Sequence, residues 1–191
     1  MKEQYVLIGV WRCHMPSRIE EVASKGMGAA KKVKATVEGM HGVFRRLAEE
    51  HGEVTALLMR VKASSDPEVR RELFPVIRAE LLGHEKGELK NVYPEFEQYA
   101  ELAPIAKDHN EESTTLERLL EELHAMSYED NAWASKFGDL VELVSHHIEE
   151  EEENYFPAGE RVLGEKRAEE MLSRYEETKS AVTEATRSEP H

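Results

Sequence analysis

The amino-acid sequence predicts an all-α fold, namely an up-down-up-down four-helix bundle with an additional C-terminal helix. Five long segments carry apolar residues at three- and four-residue steps, which is the period of an amphipathic helix. Runs of β-branched residues are nearly absent, and glycine and proline number only 11 and 7 among 191 residues. Short polar connections join the segments, so neighbouring helices should lie antiparallel within one domain.

The first two predicted helices are separated by a short polar loop with a clear helix start. The first helix should span about residues 35–61. Asp66 is suited to cap the second helix and Pro67 to occupy its first position, because aspartate accepts hydrogen bonds from free helical N–H groups and proline has no N–H to satisfy. This helix should reach about residue 93, with a bend or restart at Pro75.

Three further helical segments complete the chain. The third should cover about residues 104–126, and the fourth should begin near Asn131 and end at Pro157. The fifth should cover about residues 165–182, with a frayed tail from residue 183 onward. The chain thus divides into an N-terminal extension, partly disordered or forming a helical leader, a four-helix domain, and a C-terminal helix and tail, at residues 1–34, 35–160 and 161–191.

A repeated motif places a histidine and a glutamate four residues apart in the second and fourth helices. The two copies of His-x3-Glu-x4-aromatic-Pro begin at His84 and at His147. Residues four apart lie on one face of a helix, so each pair points in one direction. One more histidine precedes each copy, in the first and third helices. The six side chains predicted to converge on a dinuclear metal site are His51, His84, Glu88, His109, His147 and Glu151.

The ligand types narrow the choice of metal. Imidazole and carboxylate ligands together suit iron, manganese or zinc more than magnesium or calcium. If Glu88 and Glu151 each bridge both metals, every metal gains two histidines and two carboxylate oxygens. A solvent-derived oxo or hydroxo bridge adds a fifth ligand and leaves one position open on each metal. Oxygen, nitric oxide or peroxide needs such an open position.

The order and spacing of these residues resemble the hemerythrin-like family, also called the HHE cation-binding domain. The resemblance covers about residues 35–160, and its motifs are specific because four spacings and two repeated tails agree at once. It implies a hemerythrin-like bundle that holds two non-haem iron ions, bridged by oxo or hydroxo and by Glu88 and Glu151. Carried over by position, the six residues named above are the iron ligands.

One position departs from the oxygen-carrying members of this family. They have a further histidine four residues after the third-helix ligand, where this sequence has Ser113. The pattern is similar to bacterial HHE proteins linked to oxygen, nitric oxide or peroxide. We therefore expect a diiron protein that reacts with these small oxidants or diatomics, and leave open whether it consumes peroxide or nitric oxide as an enzyme. The alternative is a non-enzymatic module that binds, senses or stores oxygen, nitric oxide or iron.

Several side chains next to the predicted ligands are not expected to bind the metal. Glu85 and His146 are adjacent in sequence to ligands, so each should point about 100° away from the ligand face. The other glutamates of residues 149–153 are typical of a solvated helix face. Tyr93 and Phe156 should pack at equivalent ends of the site.

The amino-acid composition argues against nucleic-acid and membrane partners and favours a cytoplasmic location. There are 39 acidic and 25 basic residues, and the resulting net charge of −14 argues against a nucleic-acid partner. No stretch approaches the roughly 18 consecutive apolar residues of a membrane span, so we expect no membrane partner. The single cysteine, Cys13, excludes an intrachain disulfide and favours a cytoplasmic protein. We expect a small diatomic or peroxide ligand, and a monomer or weak homo-oligomer.

Overall fold

The computed structural model describes residues 39–189, whose regular structure is entirely helical, so the all-α prediction is confirmed. The predicted N-terminal extension at residues 1–34 lies outside the described residues. The helices follow one another as α1 Gly42–Lys62, α2 Pro67–Asn91, α3 Tyr93–Phe96, α4 Ala103–His124, α5 Asn131–Glu150, a π-helical turn Glu151–Tyr155, and α6 Phe156–Arg187.

The four helices α1, α2, α4 and α5 form the predicted bundle. Helix α1 packs on α2 and α5, α4 packs on α5 and α2, and the single turn of α3 links α2 to α4. The Asp66 side chain caps α2 as predicted, accepting a hydrogen bond from the backbone N–H of Glu68 at 3.0 Å. Pro75 lies inside α2, which continues past it as one helix without the restart that the sequence left open.

Two apolar clusters fill the bundle, and the predicted metal residues of every bundle helix lie between them. On α1, Leu47 belongs to one cluster and Val54 to the other, with His51 between them. The same order recurs on α4. It is reversed along α2 and Val92 after it, and along α5 with the π turn that follows, because these helices run in the opposite direction. The polar site therefore forms a layer across the middle of the bundle, with packed apolar side chains on both sides.

The C-terminal region differs from the prediction in three ways. The chain does not leave helical geometry at Pro157, which instead lies in the first turn of α6, where a residue without an N–H is tolerated. The predicted helix at residues 165–182 is the main part of α6, which changes direction at Gly164 (φ 76°). The frayed tail is also wrong as far as Arg187, because Thr183 is buried within α6.

Helix α6 packs along α2 and α1 as the additional helix of the fold. Its residues Ala168, Met171 and Tyr175 are fully buried in the same core as α1. A Cβ atom at Gly42 would lie 2.3 Å from the backbone of Ala168, so the start of α1 rests directly on α6. Across residues 39–189, no helix combines the length and apolar character needed to cross a membrane.

Candidate metal centre

The structure brings all six predicted metal residues together in the middle layer. Together with Glu85 they form two adjacent groups. Within each group, one ligand atom per residue lies within 4.8 Å of the ligand atoms of all the others. The first group consists of His51, His84 and Glu151. The second group consists of Glu85, Glu88, His109 and His147. All seven side chains are buried, so the layer contains two neighbouring groups that could each hold a metal ion.

The Nε2 atoms of the histidines face the carboxylates. Nε2 of His51 lies 3.1 Å from Glu151 Oε2, and Nε2 of His84 lies 3.3 Å from Glu88 Oε2. Nε2 of His109 lies 3.5 Å from both Glu88 Oε2 and Glu151 Oε1. Two ligands bound at right angles to one metal, each about 2.1 Å from it, lie about 3 Å apart. These distances therefore suit ligand atoms around a shared cation.

Glu88 and Glu151 each reach both groups. Glu88 Oε2 lies within 3.5 Å of one histidine of each group. Glu151 Oε2 lies 3.1 Å from His51 in the first group and 3.5 Å from His147 in the second. Each carboxylate thus lies between the two groups, where a carboxylate shared by two metals would have to lie.

Unpaired polar atoms show that these residues fit a metal. Nε2 of all four histidines and both carboxylate oxygens of Glu88 are buried and have no hydrogen-bond partner among the described residues. Burial raises the pKa of the Glu88 carboxyl well above its usual range, and the neighbouring Glu151 and Glu85 carboxylates raise it further. Buried groups left unpaired cost stability. A bound cation would pair with these atoms and offset the repulsion between the carboxylates.

The other ring nitrogen, Nδ1, is held by a further glutamate in three of the four histidines. The three pairs are His84 with Glu50 at 3.0 Å, His51 with Glu152 at 3.1 Å, and His147 with Glu112 at 3.0 Å. A carboxylate in this position fixes the orientation of the ring and leaves Nε2 available to a metal. The helical spacing rule did not predict any of these three glutamates.

The π-helical turn accounts for the position of Glu152. In a regular α-helix this side chain would point about 100° away from Glu151, toward the solvated face predicted for the acidic run. The π turn at Glu151–Tyr155 changes the angular step, so that Glu151 faces the site while Glu152 contacts His51 from the other side. The Glu152 side chain is only 9% exposed, and its predicted place on a solvated face is wrong.

Glu85 lies in the second group, so the prediction that it points away from the ligand face is also wrong. Its Oε1 atom lies 3.2 Å from Nε2 of His147, and the residue is 1% exposed. Glu85 directly follows His84, and on a helix this places its side chain about 100° away from that of His84. Glu85 precedes Glu88 by three residues, however, and residues three apart also share a helix face. That spacing was the available signal for a seventh site residue.

The aromatic residue of each motif copy stacks on a histidine from the other half of the bundle. The ring of Tyr93 stacks on His109 with centroids 3.6 Å apart, and the ring of Phe156 stacks on His51 at 5.6 Å. The Tyr93 hydroxyl also donates a hydrogen bond to Glu151 Oε1 at 2.5 Å. Both residues pack against the site, as expected, and Tyr93 additionally holds a site carboxylate in place.

Ser113 lies one turn after His109 on α4 and faces the second group. It is 1% exposed, and its hydroxyl has no hydrogen-bond partner within the described part of the chain. A cavity of about 10 Å³ lies beside it, lined also by Glu85, Glu112 and His147. This volume is about that needed for one water molecule. The second group thus has a small gap at the position where oxygen-carrying members of the hemerythrin-like family have a histidine.

Helix α6 supports His84 through Glu50. The Tyr175 hydroxyl donates a hydrogen bond to Glu50 Oε2 at 2.5 Å and lies 3.2 Å from Nδ1 of His84. Lys179 Nζ lies 2.7 Å from the same Glu50 oxygen, and Arg46 Nε lies 2.9 Å from the other. Burial raises the pKa of the Glu50 carboxyl, but the hydrogen bond to His84 and the charges of Lys179 and Arg46 outweigh burial and lower it. Glu50 is therefore held as a carboxylate.

Two known proteins are similar to this chain over about 70% of its length. The chain is 25% identical over 133 residues to a DNA nickase of Nostoc sp. (strain PCC 7120), which covers 70% of this chain and 38% of that protein. It is 27% identical over 136 residues to an uncharacterized hemerythrin-like protein of Schizosaccharomyces pombe, which covers 70% of this chain and 67% of that protein. The chain thus spans well under half of the Nostoc relative. No solved structure matches it significantly.

A family model matches a slightly shorter segment, whose bounds are known. The model for the hemerythrin HHE cation binding domain matches residues 35–158. This segment contains both metal-residue groups and the three glutamates that hold the Nδ1 atoms, and it ends within the first turn of α6. From this match, the chain belongs to the hemerythrin HHE cation-binding domain family.

Proposed function

We propose that the chain binds two non-haem iron ions, one at each group, with Glu88 and Glu151 and an oxo or hydroxo group as bridges. The observation that carries this proposal is the convergence of four buried, unpaired Nε2 atoms on shared carboxylates. A nitrogen and oxygen donor set suits iron, and family membership supports a cation. The proposed ligands are His51, His84, Glu85, Glu88, His109, His147 and Glu151.

We further propose that the site reacts with peroxide, nitric oxide or oxygen. Iron bound there would supply one-electron redox chemistry and an open coordination position for such a molecule. The protein would hold the histidine rings through their Nδ1 partners and hold Glu151 through the Tyr93 hydroxyl. Ser113 provides no nitrogen ligand, but Glu85 takes a place in the second group, so with both bridges counted the open position would lie at the first group.

Consumption of the small molecules tests this function. Iron-loaded protein would be mixed with hydrogen peroxide, or anaerobically with nitric oxide, with ascorbate as the reductant. Loss of either molecule over many turnovers, at a rate well above that of iron-free His84→Ala protein, would support an enzyme. Uptake of about one oxygen or nitric oxide per site, reversed when the gas is removed, would instead support the alternative function of binding, sensing or storage.

The same proposal extends to partners and location. We propose a small diatomic or peroxide ligand, a cytoplasmic location, and a monomer or weak homo-oligomer without nucleic-acid or membrane partners. The name DNA nickase belongs to a protein of which this chain spans 38%. The net charge of −14 opposes contact with a phosphate backbone. Supercoiled plasmid incubated with the iron-loaded protein should therefore remain uncut.

A further inference from the structure

A pocket of about 320 Å³ leads from solvent to the metal-binding layer. Four residues of the two groups line it: His51, His84, Glu85 and His147. One water molecule takes up about 30 Å³ in the liquid, and a diatomic molecule or hydrogen peroxide needs little more. The pocket is therefore several times larger than these small molecules require, and its volume falls at the small end of the range for pockets that bind organic ligands.

The pocket wall next to the site is apolar. Four buried residues, one from each bundle helix, form this inner wall: Val54, Leu81, Leu116 and Val144. Three half-buried residues continue the apolar surface to the opening: Leu57, Val76 and Ile148. Such walls favour a ligand with an apolar body, because its burial removes apolar surface from water.

Five of the charged residues that also line the pocket, contributed by α1, α2 and α6, are paired with one another. Lys179 Nζ lies 2.7 Å from Glu50 and 3.0 Å from Glu80. Arg187 lies 2.7 Å from Glu80, and Arg46 lies 2.9 Å from Glu50. An ionic ligand would have to displace one of these pairs or approach a like charge, whereas a neutral ligand would leave the pairs intact.

We propose that this pocket takes a neutral alkyl or aryl hydroperoxide of about ten non-hydrogen atoms, a size set by the pocket volume of about 320 Å³. The apolar body would lie against the inner wall formed by the four bundle helices. Its terminal oxygens would reach the layer of histidines and carboxylates. The inference rests on the proposed function, because it specifies which peroxide the metal centre would meet.

An unreactive analogue tests the pocket separately from the metal chemistry. Cumyl alcohol has the body of cumene hydroperoxide with a hydroxyl in place of the peroxide group. It would be titrated into the protein as purified and followed by ligand-observed NMR. We expect saturable binding that weakens at least about tenfold in Val76→Phe and in Ile148→Phe, whose rings would fill the pocket from its opening.

Matched controls show what would overturn the inference. Met59→Phe adds the same ring at a position of α1 that is 42% exposed and does not line the pocket, so it should bind like the wild type. Benzoate, an anion of similar size, should bind at least about tenfold more weakly than cumyl alcohol. The inference is wrong if cumyl alcohol shows no saturable binding, or if benzoate binds as tightly as cumyl alcohol. It is also wrong if Val76→Phe and Ile148→Phe are both folded, as judged by circular dichroism, and bind cumyl alcohol as well as the wild type does.

The outcome separates this inference from the proposed function. The iron content and the hydrogen peroxide consumption of the same samples are measured in parallel. Iron-loaded protein that consumes hydrogen peroxide but does not bind cumyl alcohol refutes the pocket inference alone. Specific cumyl alcohol binding by protein that takes up no iron supports the pocket and refutes the diiron function alone.

Discussion

The phenol oxygen of Tyr175 lies 2.5 Å from Oε2 of Glu50, the carboxylate that holds Nδ1 of His84 at 3.0 Å. Tyr175 belongs to α6 and lies outside residues 35–158, the segment that the family model matches. The C-terminal helix therefore supports a metal-site histidine from beyond the family segment. This support directs Nε2 of His84 toward Glu88.

Removing this support should weaken metal binding without abolishing it. Tyr175→Phe deletes one hydrogen bond to Glu50 and keeps the ring, so we expect about tenfold weaker iron binding, and up to about a hundredfold weaker for Glu50→Ala. Competition with a chromogenic chelator measures both affinities. Tyr99→Phe, at a position that is 41% exposed, is the matched control and should have no effect. Unchanged affinity in Glu50→Ala would show that this carboxylate does not position His84.

The contact between α2 and α6 predicts opposite effects for two glycine substitutions. A Cβ atom at Gly87 would lie 2.6 Å from the Tyr175 ring, so Gly87→Ala should lower the free energy of unfolding by about 1–3 kcal/mol. Gly138 lies within α5, where a Cβ atom would meet no other atom within 4 Å, so Gly138→Ala should raise it by about 0.5–1 kcal/mol. Urea unfolding midpoints measure both. Stabilisation by both substitutions would contradict the close packing of α6 on α2.

The sequence predicted features that depend on local spacing. The Asp66 cap depends on a neighbouring N–H group, and the direction shared by His84 and Glu88 depends on one helical turn. The bundle followed from helical periods and short loops. Glu85 could also have been placed, because its three-residue distance from Glu88 is a local signal.

The supporting residues could not be predicted in this way. Glu50 and Tyr175 are 125 positions apart, and they meet only because α6 packs back along α1 and α2. Glu152 reaches His51 through a π turn, which changes the angular step that a regular helix would have. Tertiary packing and a local departure from α-helical geometry thus determine the residues that position the ligands.

Metal binding should stabilise the fold, because the unpaired Nε2 atoms would gain a partner. With free iron at about 100 times its dissociation constant, mass action contributes about 2.7 kcal/mol. For a chain of this size, that corresponds to a rise of roughly 5–10 °C in melting temperature. Differential scanning calorimetry of iron-loaded and metal-free protein measures the difference. His147→Ala should remove most of it, and an undiminished difference in that variant would contradict the assignment of His147.

Metal binding should also release protons. Burial raises the pKa of Glu88 well above its usual range, as do Glu151 and Glu85. Burial alone would lower the pKa of His147, but the same two carboxylates outweigh it and raise that pKa well above its usual value. Without metal, both groups therefore hold a proton more strongly than a free side chain of their type, and each must lose it to become a ligand. Affinity should accordingly rise as the pH increases through the range in which these two groups lose their protons.

Calorimetry can count these protons directly. Manganese(II), an air-stable probe, would be titrated into metal-free protein in two buffers that differ in ionisation enthalpy. A binding heat that depends on the buffer indicates proton release, whereas identical heats in both buffers would contradict the loss of protons from Glu88 and His147 on metal binding.

The central claim is that two adjacent groups of histidine and glutamate residues hold two iron ions, and the iron content of the purified protein tests it most directly. Elemental analysis after expression in iron-supplemented medium should find about two irons per chain. His84→Ala and His147→Ala, one from each group, should lower this number sharply. His146→Ala, whose side chain is 62% exposed, should not. One zinc per chain, no metal at all, or equal loss of iron in His146→Ala and His147→Ala would contradict the account.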